Sequence, residues 1–142
     1  MIYKPHPHLP EQALIVGKGS IIDDSAKLDR CGIIALEEYV CICQDVLIIR
    51  HHHIMDLETR EYHYRMGTAP ECVWAAKPLT IGSHSWINSR CLILPSVVKI
   101  APGTILGAGS ILSKDIDIEG LVWAGNPVHI VGINADFRGG KR

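Results

Sequence analysis

The sequence predicts an all-β chain wound as a parallel β-helix, and three observations carry that prediction. Apolar residues return every six positions: Val16, Ile22, Leu28, Ile34, Val40 and Val46 hold one phase, and Ile81, Ile87 and Ile93 hold another. Ile100, Leu106 and Leu112 follow after a slip of one residue. An α-helix repeats every 3.6 residues and an amphipathic strand every 2, so neither generates this period. A parallel β-helix does, because each short strand sends one apolar residue inward before the chain turns a corner. Small residues trail the anchors, as in Ile81-Gly82-Ser83-His84-Ser85 and Leu106-Gly107-Ala108-Gly109-Ser110. A glycine beside the anchor is expected to allow positive φ at the corner, and the small residue four places on fits a crowded inner turn. Finally, the rhythm resumes after an interruption between about 50 and 78, as one winding with an insertion would.

The elements follow in order along a single domain, 1–142. Residues 1–14 hold three prolines and two histidines ahead of the first anchor and read as an irregular lead-in. Residues 15–49 make about two coils, since three six-residue sides form one triangular turn. The stretch 50–78, from Arg50-His51-His52-His53 to Lys77-Pro78, is charged, aromatic and broken by Gly67, Pro70 and Pro78. It reads as one long loop extruded from the coils, of the length that is usually functional. Coils resume at 79–116. In strict phase Lys99 would point inward, where an unpaired ammonium costs several kcal/mol. A bulge around Val97-Val98-Lys99 is therefore expected to return Ile100 to the interior. The C-terminal segment 117–142 carries the apolar Leu121-Val122-Trp123-Ala124, a turn at Gly125-Asn126-Pro127 and a polar tail from Phe137.

Composition narrows the function classes. At 142 residues the chain is long enough to bury a core, and its formal charge of −1 argues against a polyanionic partner such as nucleic acid. There is no apolar run of membrane-spanning length, and Met1-Ile2-Tyr3-Lys4-Pro5-His6-Pro7 lacks the apolar stretch of a signal peptide. The five cysteines are odd in number, scattered and free of any CxxC pair, which fits a reducing cytoplasm. Cys41-Ile42-Cys43 lies inside a strand, where cysteine reads as a small packing residue rather than a metal ligand.

Residues 79–131 carry a more specific pattern. Ile81-Gly82-Ser83-His84-Ser85-Trp86-Ile87, then Ile93-Leu94-Pro95, then Ile105-Leu106-Gly107-Ala108-Gly109-Ser110-Ile111-Leu112-Ser113-Lys114-Asp115-Ile116, then Gly125-Asn126-Pro127, resemble the hexapeptide-repeat acyltransferases. The likeness covers about residues 34–131 and points to the maltose/galactoside O-acetyltransferases and the polysaccharide-biosynthesis acetyltransferases. The resemblance implies a left-handed parallel β-helix, against the usual right-handed crossover. It also implies a homotrimer with acetyl-coenzyme A in the cleft between neighbouring prisms. The chain departs from the family at Asn88 and Ser96, where glycine is frequent, at the extra residue near Lys99, in lacking a helical N-terminal segment, and in its longer loop.

The family carries a catalytic histidine where the loop leaves the coils. An ungapped reading of Ile48-Ile49-Arg50-His51-His52-His53 places it on His53, and a shifted one on His52. Attack of a hydroxyl or amine on a thioester needs a base, and imidazole is suited because its ordinary pKa near 6.5 leaves the neutral form populated in the cell. Without the resemblance, His51-His52-His53 would read as a solvated cluster or an adventitious metal site; His63 and His84 read as surface residues. By resemblance, Trp86 walls the cleft near the thioester, Ser89 and Ala108 flank the pantetheine arm, and Lys114 meets the 3′-phosphate. Asn126, with Pro127, shapes the final turn over the cofactor. No metal is required. The acceptor is expected to be a small molecule, first a sugar hydroxyl and second a sugar amine, held by a loop bearing Asp56, Glu58, Arg60, Glu61, Tyr62, Tyr64 and Trp74. Two rival classes are a non-catalytic scaffold or sugar-binding subunit, and a carbonic-anhydrase-like metal enzyme on the same prism. The second would draw ligands from His51 or His53 and His84, but the sequence offers no third histidine near His84.

Overall fold

The computed structural model describes residues 2–3, 9–53, 56–66 and 73–138. β1 (Ile2–Tyr3) precedes the first coil, which comprises β2 (Leu14–Val16), β3 (Ile21–Ile22) and β4 (Lys27–Asp29). The second comprises β5 (Ile34–Leu36), β6 (Cys41–Ile42) and β7 (Leu47–Ile48). An insertion follows with β8 (His51–His53), α1 (Leu57–Met66) and β9 (Val73–Ala75). The third coil is β10 (Leu79–Ile81), β11 (Trp86–Ile87) and β12 (Leu92–Ile93); the fourth is β13 (Lys99–Ile100), β14 (Ile105–Leu106) and β15 (Ile111–Leu112). The chain closes with the antiparallel hairpin of β16 (Leu121–Gly125) and β17 (Val128–Ile133).

Like sides of successive coils stack into three parallel sheets, ordered β1-β4-β7-β12-β15, β13-β10-β5-β2 and β17-β16-β14-β11-β6-β3. We call these the first, second and third faces. The stacking register shows which residues share a rank inside the prism. Val16, Leu36, Ile81 and Ile100 form one column; Ile22, Ile42, Ile87 and Leu106 a second; Leu28, Ile48, Ile93 and Leu112 a third. The unbroken phase expected from Leu28 through Ile34, Val40 and Val46 is therefore corrected. Two extra residues at the corner after Asp29 stretch the step from Leu28 to Leu36, and Leu36, Ile42 and Ile48 take the anchor rank. Ile34, Val40 and Val46 are buried too, but as the narrower inner-turn residues. Val40 shares its rank with Ser85, and Val46 with Cys91.

A second correction concerns the corners. Positive φ occurs three places after the anchor, at Gly19, Tyr39, Asp45, His84, Arg90, Gly103 and Gly109. The glycine directly after the anchor serves close approach instead: a Cβ on Gly82 would run into the Pro102 backbone of the next coil. At the next place, Ser85, Cys91 and Ser110 are buried as the crowded inner turn requires.

Ile100 is 1 % exposed inside the prism while Lys99 lies outside, 3.6 Å from Asp117. The seven-residue step between Ile93 and Ile100 is held at both ends. The Asp115 carboxylate accepts the N–H groups of Val98 and Lys99, and Arg50 collects carbonyls from the other side. Val16 departs from the expected burial, at 47 % exposed, because β2 and β3 are the edge strands of their sheets and no described coil stacks above them. In the lead-in, Ile2 and Tyr3 pair in parallel with Leu28 and Asp29.

Candidate functional site

The insertion is built on a pair of strands rather than on an open loop. β8 and β9 run antiparallel with His51 opposite Ala75, His52 opposite Trp74 and His53 opposite Val73. The sequence concealed this because a three-histidine strand has no apolar alternation, and β9 is a short Val-Trp-Ala run. Between them α1 opens with Asp56, whose carboxylate accepts the Thr59 N–H at 2.8 Å as a helix cap does. Gly67 to Cys72 lie outside the described residues.

Arg50 anchors the insertion. It is 0 % exposed and is the largest fully buried side chain. Nη2 donates to the Lys77 carbonyl at 2.7 Å and the Pro95 carbonyl at 3.2 Å, and Nη1 to the Val97 carbonyl at 2.8 Å. The Ala76 N–H donates to the Arg50 carbonyl at 2.9 Å, so the two feet of the insertion are tied together. Burial lowers the guanidinium pKa to about 10, against the favourable charges of Asp29 and Asp115, and leaves it protonated at neutral pH.

Period-two alternation along β8 divides the three histidines. His51 and His53 share one side, with Nε2–Nε2 3.1 Å and ring centroids 4.9 Å apart. On that side His51 Nδ1 lies 2.5 Å from the Oδ2 atom of Asp29, which the sequence reading did not single out. Asp29 is fully buried at the stretched corner of the first coil. Burial alone would raise its pKa. The Cys31 thiol and N–H, the Arg50 N–H and His51 all hydrogen bond to it and together bring it below the usual carboxylate range. His52 turns the other way and stacks on Trp74, with centroids 5.7 Å apart and planes 28° from parallel. It borders a separate cavity of about 540 Å³ with Trp74, Lys77, Pro95, Ser96 and Val98. Burial, then the charges of Arg50 and His51, lower its pKa.

Asp29, Cys31 and His51 bring one ligand atom each within 4.8 Å, the geometry of a candidate metal group. The Asp29 oxygens already accept N–H groups from Cys31 and Arg50 at 2.9 and 2.7 Å, which suits a locked carboxylate better than a metal ligand. His84 packs elsewhere, with ring centroids 5.3 Å from Tyr39 and 6.1 Å from Phe137.

Trp86, Ser89 and Ala108 lie along the third face and the corner beyond it, whereas Lys114 follows β15 at the corner between the first and second faces. Trp86 stands on the outer side of β11, 47 % exposed, and its indole N–H donates to Cys43 Sγ at 2.9 Å. Cys41 Sγ is 3.9 Å from Cys43 Sγ; these two cysteines sit on the outer side of the sheet, and Ile42 between them faces the core. The Ser89 carbonyl accepts the Gly109 N–H at 2.9 Å, so Ser89 and the exposed Ala108 share one corner. Lys114 is exposed at the edge of a cavity of about 320 Å³ with Leu112, Trp123, Pro127 and Val128. Asn126, also exposed, precedes Pro127 through a cis peptide bond. The histidine strand leaves from the corner between the first and second faces, whereas Ser89 and Ala108 occupy the corner between the third and first. One chain thus carries the histidines and the Ser89–Ala108 pair on different corners, with Lys114 on the histidines' own corner.

No family model matches the chain. It is 41 % identical over 56 residues to a putative acetyltransferase, SAR2635, of Staphylococcus aureus strain MRSA252, covering 39 % of this chain and 27 % of that protein. It is 29 % identical over 96 residues to the galactoside O-acetyltransferase of Escherichia coli K12, covering 68 % of this chain and 45 % of the relative. The fold superimposes on the hexapeptide-repeat acetyltransferase VCA0836 of Vibrio cholerae O1 biovar eltor, complexed with acetyl-coenzyme A, with TM-score 0.70 and 17 % identity. That match covers 87 % of this chain and 61 % of the other. The chain has the hexapeptide-repeat acyltransferase fold. The hexapeptide-repeat prism is therefore left-handed, as the motifs of 79–131 implied. The chain spans between about a quarter and a half of the length of these two curated relatives.

Proposed function

We propose that this protein transfers an acetyl group from acetyl-coenzyme A to a hydroxyl or amine of a sugar-like acceptor, with His53 as general base. The observation that carries the reading is the placement of an imidazole pair on a paired strand at the corner where the insertion leaves the hexapeptide-repeat prism. Paired strands clamped by a buried arginine give that imidazole the fixed backbone that a base requires. The relatives' names support acetyl transfer, and one of them is a galactoside enzyme. His52 becomes the weaker candidate, since it faces the Trp74 cavity and is stacked there. Cys31, Cys41, Cys43 and Cys91 are in no disulfide among the described residues, which suits the cytoplasm.

Because the histidines and the Ser89–Ala108 corner are on different corners of one prism, a complete site forms when the histidine corner of one copy meets the cofactor corner of another. A homotrimer provides three such junctions. Light scattering at micromolar concentration is expected to give a trimer; a fully active monomer would sink the shared-site reading.

In this reading Trp86 walls the cleft, Ser89 and Ala108 offer backbone to the pantetheine amides, Asn126 shapes the turn beyond, and Lys114 meets the 3′-phosphate. Lys114→Ala is expected to raise the KM for acetyl-coenzyme A up to about fivefold, the ~1 kcal/mol reach of an exposed ion pair. Dephospho-acetyl-coenzyme A, which lacks that phosphate, should be used equally well by both proteins. Equal losses with the two substrates would remove Lys114 from the phosphate. A thermal-shift screen with acetyl-coenzyme A and candidate sugars tests the function itself, because a scaffold would show no stabilisation by the thioester.

A further inference from the structure

We propose that Cys41 and Cys43 form a two-thiolate site for a soft divalent cation of the zinc–cadmium class, on the outer side of the third face. The site is independent of the proposed acetyl transfer. Strand alternation puts both sulfurs on one side and sends Ile42, 1 % exposed, into the core. Cys41 Sγ stands 3.9 Å from Cys43 Sγ, and neither residue is in a disulfide. At that separation, two bonds of the usual zinc–sulfur length, about 2.3 Å, meet at an angle of about 116°, close to tetrahedral. A linear ion with bonds of the same length needs sulfurs about 4.6 Å apart, so the pair favours tetrahedral coordination. Disulfide formation fits less well. Residues two apart on a strand have Cα atoms about 6.6 Å apart, at the upper end of the disulfide range.

Trp86 supplies support from outside the ligand pair. It is in register with Cys41 on the next strand, and its indole N–H donates to Cys43 Sγ at 2.9 Å. A hydrogen bond of that kind stabilises the charge of a metal-bound thiolate and fixes its direction. On the other flank Ile21 is in register with Cys41. Burial, then the neighbouring Cys43 sulfur, raises the pKa of the Cys41 thiol, which keeps its proton at neutral pH when no ion is bound. Binding is therefore an exchange: each sulfur gives a lone pair to the cation, and the thiol protons leave to solvent. No electron is transferred. Among the described residues no imidazole or carboxylate completes a three-ligand group with these sulfurs, so the remaining coordination positions are left to water or a small donor. That distinguishes the site from a structural zinc centre closed by four protein ligands.

Titration of the reduced protein with Cd2+ tests this. Ultraviolet thiolate-to-cadmium charge transfer should saturate at one ion per chain, and the fluorescence of Trp86 should change along with it. Zn2+ should compete, and the hard ion Mg2+ should not. The band should be lost in Cys41→Ser and in Cys43→Ser but kept in Cys91→Ser, where Ser110 holds the matching place in the next coil. Trp86→Phe retains both thiols; it should weaken binding about tenfold and abolish the fluorescence response. Reduced protein that binds no Cd2+ overturns the proposal. An undiminished titration in both serine variants also overturns it, since the ion then sits elsewhere. Should the serine variants fail to fold, unchanged affinity and fluorescence response in Trp86→Phe would overturn it too.

Discussion

His53→Ala is expected to lower kcat by roughly 10²–10⁴, the usual worth of a positioned base, with little change in the KM for acetyl-coenzyme A. The strand fixes the direction of the effect. His53 shares its side of β8 with His51 and, through it, with Asp29, whereas His52 is turned to the Trp74 cavity. His52→Ala should therefore have the smaller effect, confined to whatever binds beside Trp74. A fully active His53→Ala enzyme next to an inactive His52→Ala one would move the base to the other side of the strand. Full activity in single alanine variants of His51, His52 and His53 would remove histidine catalysis from the insertion. Steady-state kinetics with acetyl-coenzyme A and an acceptor found by the thermal screen distinguish these outcomes.

The second large effect is on folding. Arg50→Ala leaves the carbonyls of Lys77, Pro95 and Val97 without their donor, and an unsatisfied buried polar group costs about 1–3 kcal/mol. It also opens a cavity where the largest fully buried side chain stood. A loss of about 3–5 kcal/mol is expected, comparable with removing one member of a buried charged network. For a chain of this size that lowers Tm by about 10 °C or more. Arg50→Lys should recover only part of it, since a single ammonium cannot span carbonyls that the planar guanidinium reaches with two nitrogens. Calorimetry would decide the matter, and an Arg50→Ala protein melting within about 2 °C of the parent would exclude the clamp.

Much of the prism was legible because its rule is local. Ile81, Ile87 and Ile93 each announce a side through spacing alone, and the step to Ile100 revealed itself through the lysine that could not be buried. The reading slipped at Leu28, where two extra residues moved the anchors to Leu36, Ile42 and Ile48. Ile34, Val40 and Val46 masked the slip, since the rank two places before the anchor accepts valine and isoleucine where leucine, serine or cysteine stands in the next coil. The histidines of the site were visible as a cluster, but their separation into two sides was not. That depends on β8 finding β9 more than twenty residues later. Asp29 and Arg50 were missed for a related reason. Their roles come from vertical neighbours one or two coils away, and a linear pattern of apolar residues carries no trace of a buried carboxylate or of a guanidinium that gathers carbonyls from two separate segments.

The tie between Arg50 and Ala76–Lys77 bears on how this fold can change over time. The chain enters and leaves the insertion through one joined gateway, so the entropy of closing whatever lies between is met there and not by the coils. Doubling the length of a flexible segment beyond such a gateway adds only about 0.6 kcal/mol. The inserted region can thus be lengthened, shortened or exchanged while the stacked columns beneath it keep their register. Freedom to vary in the insertion and constancy of the coils are separated at a single arginine.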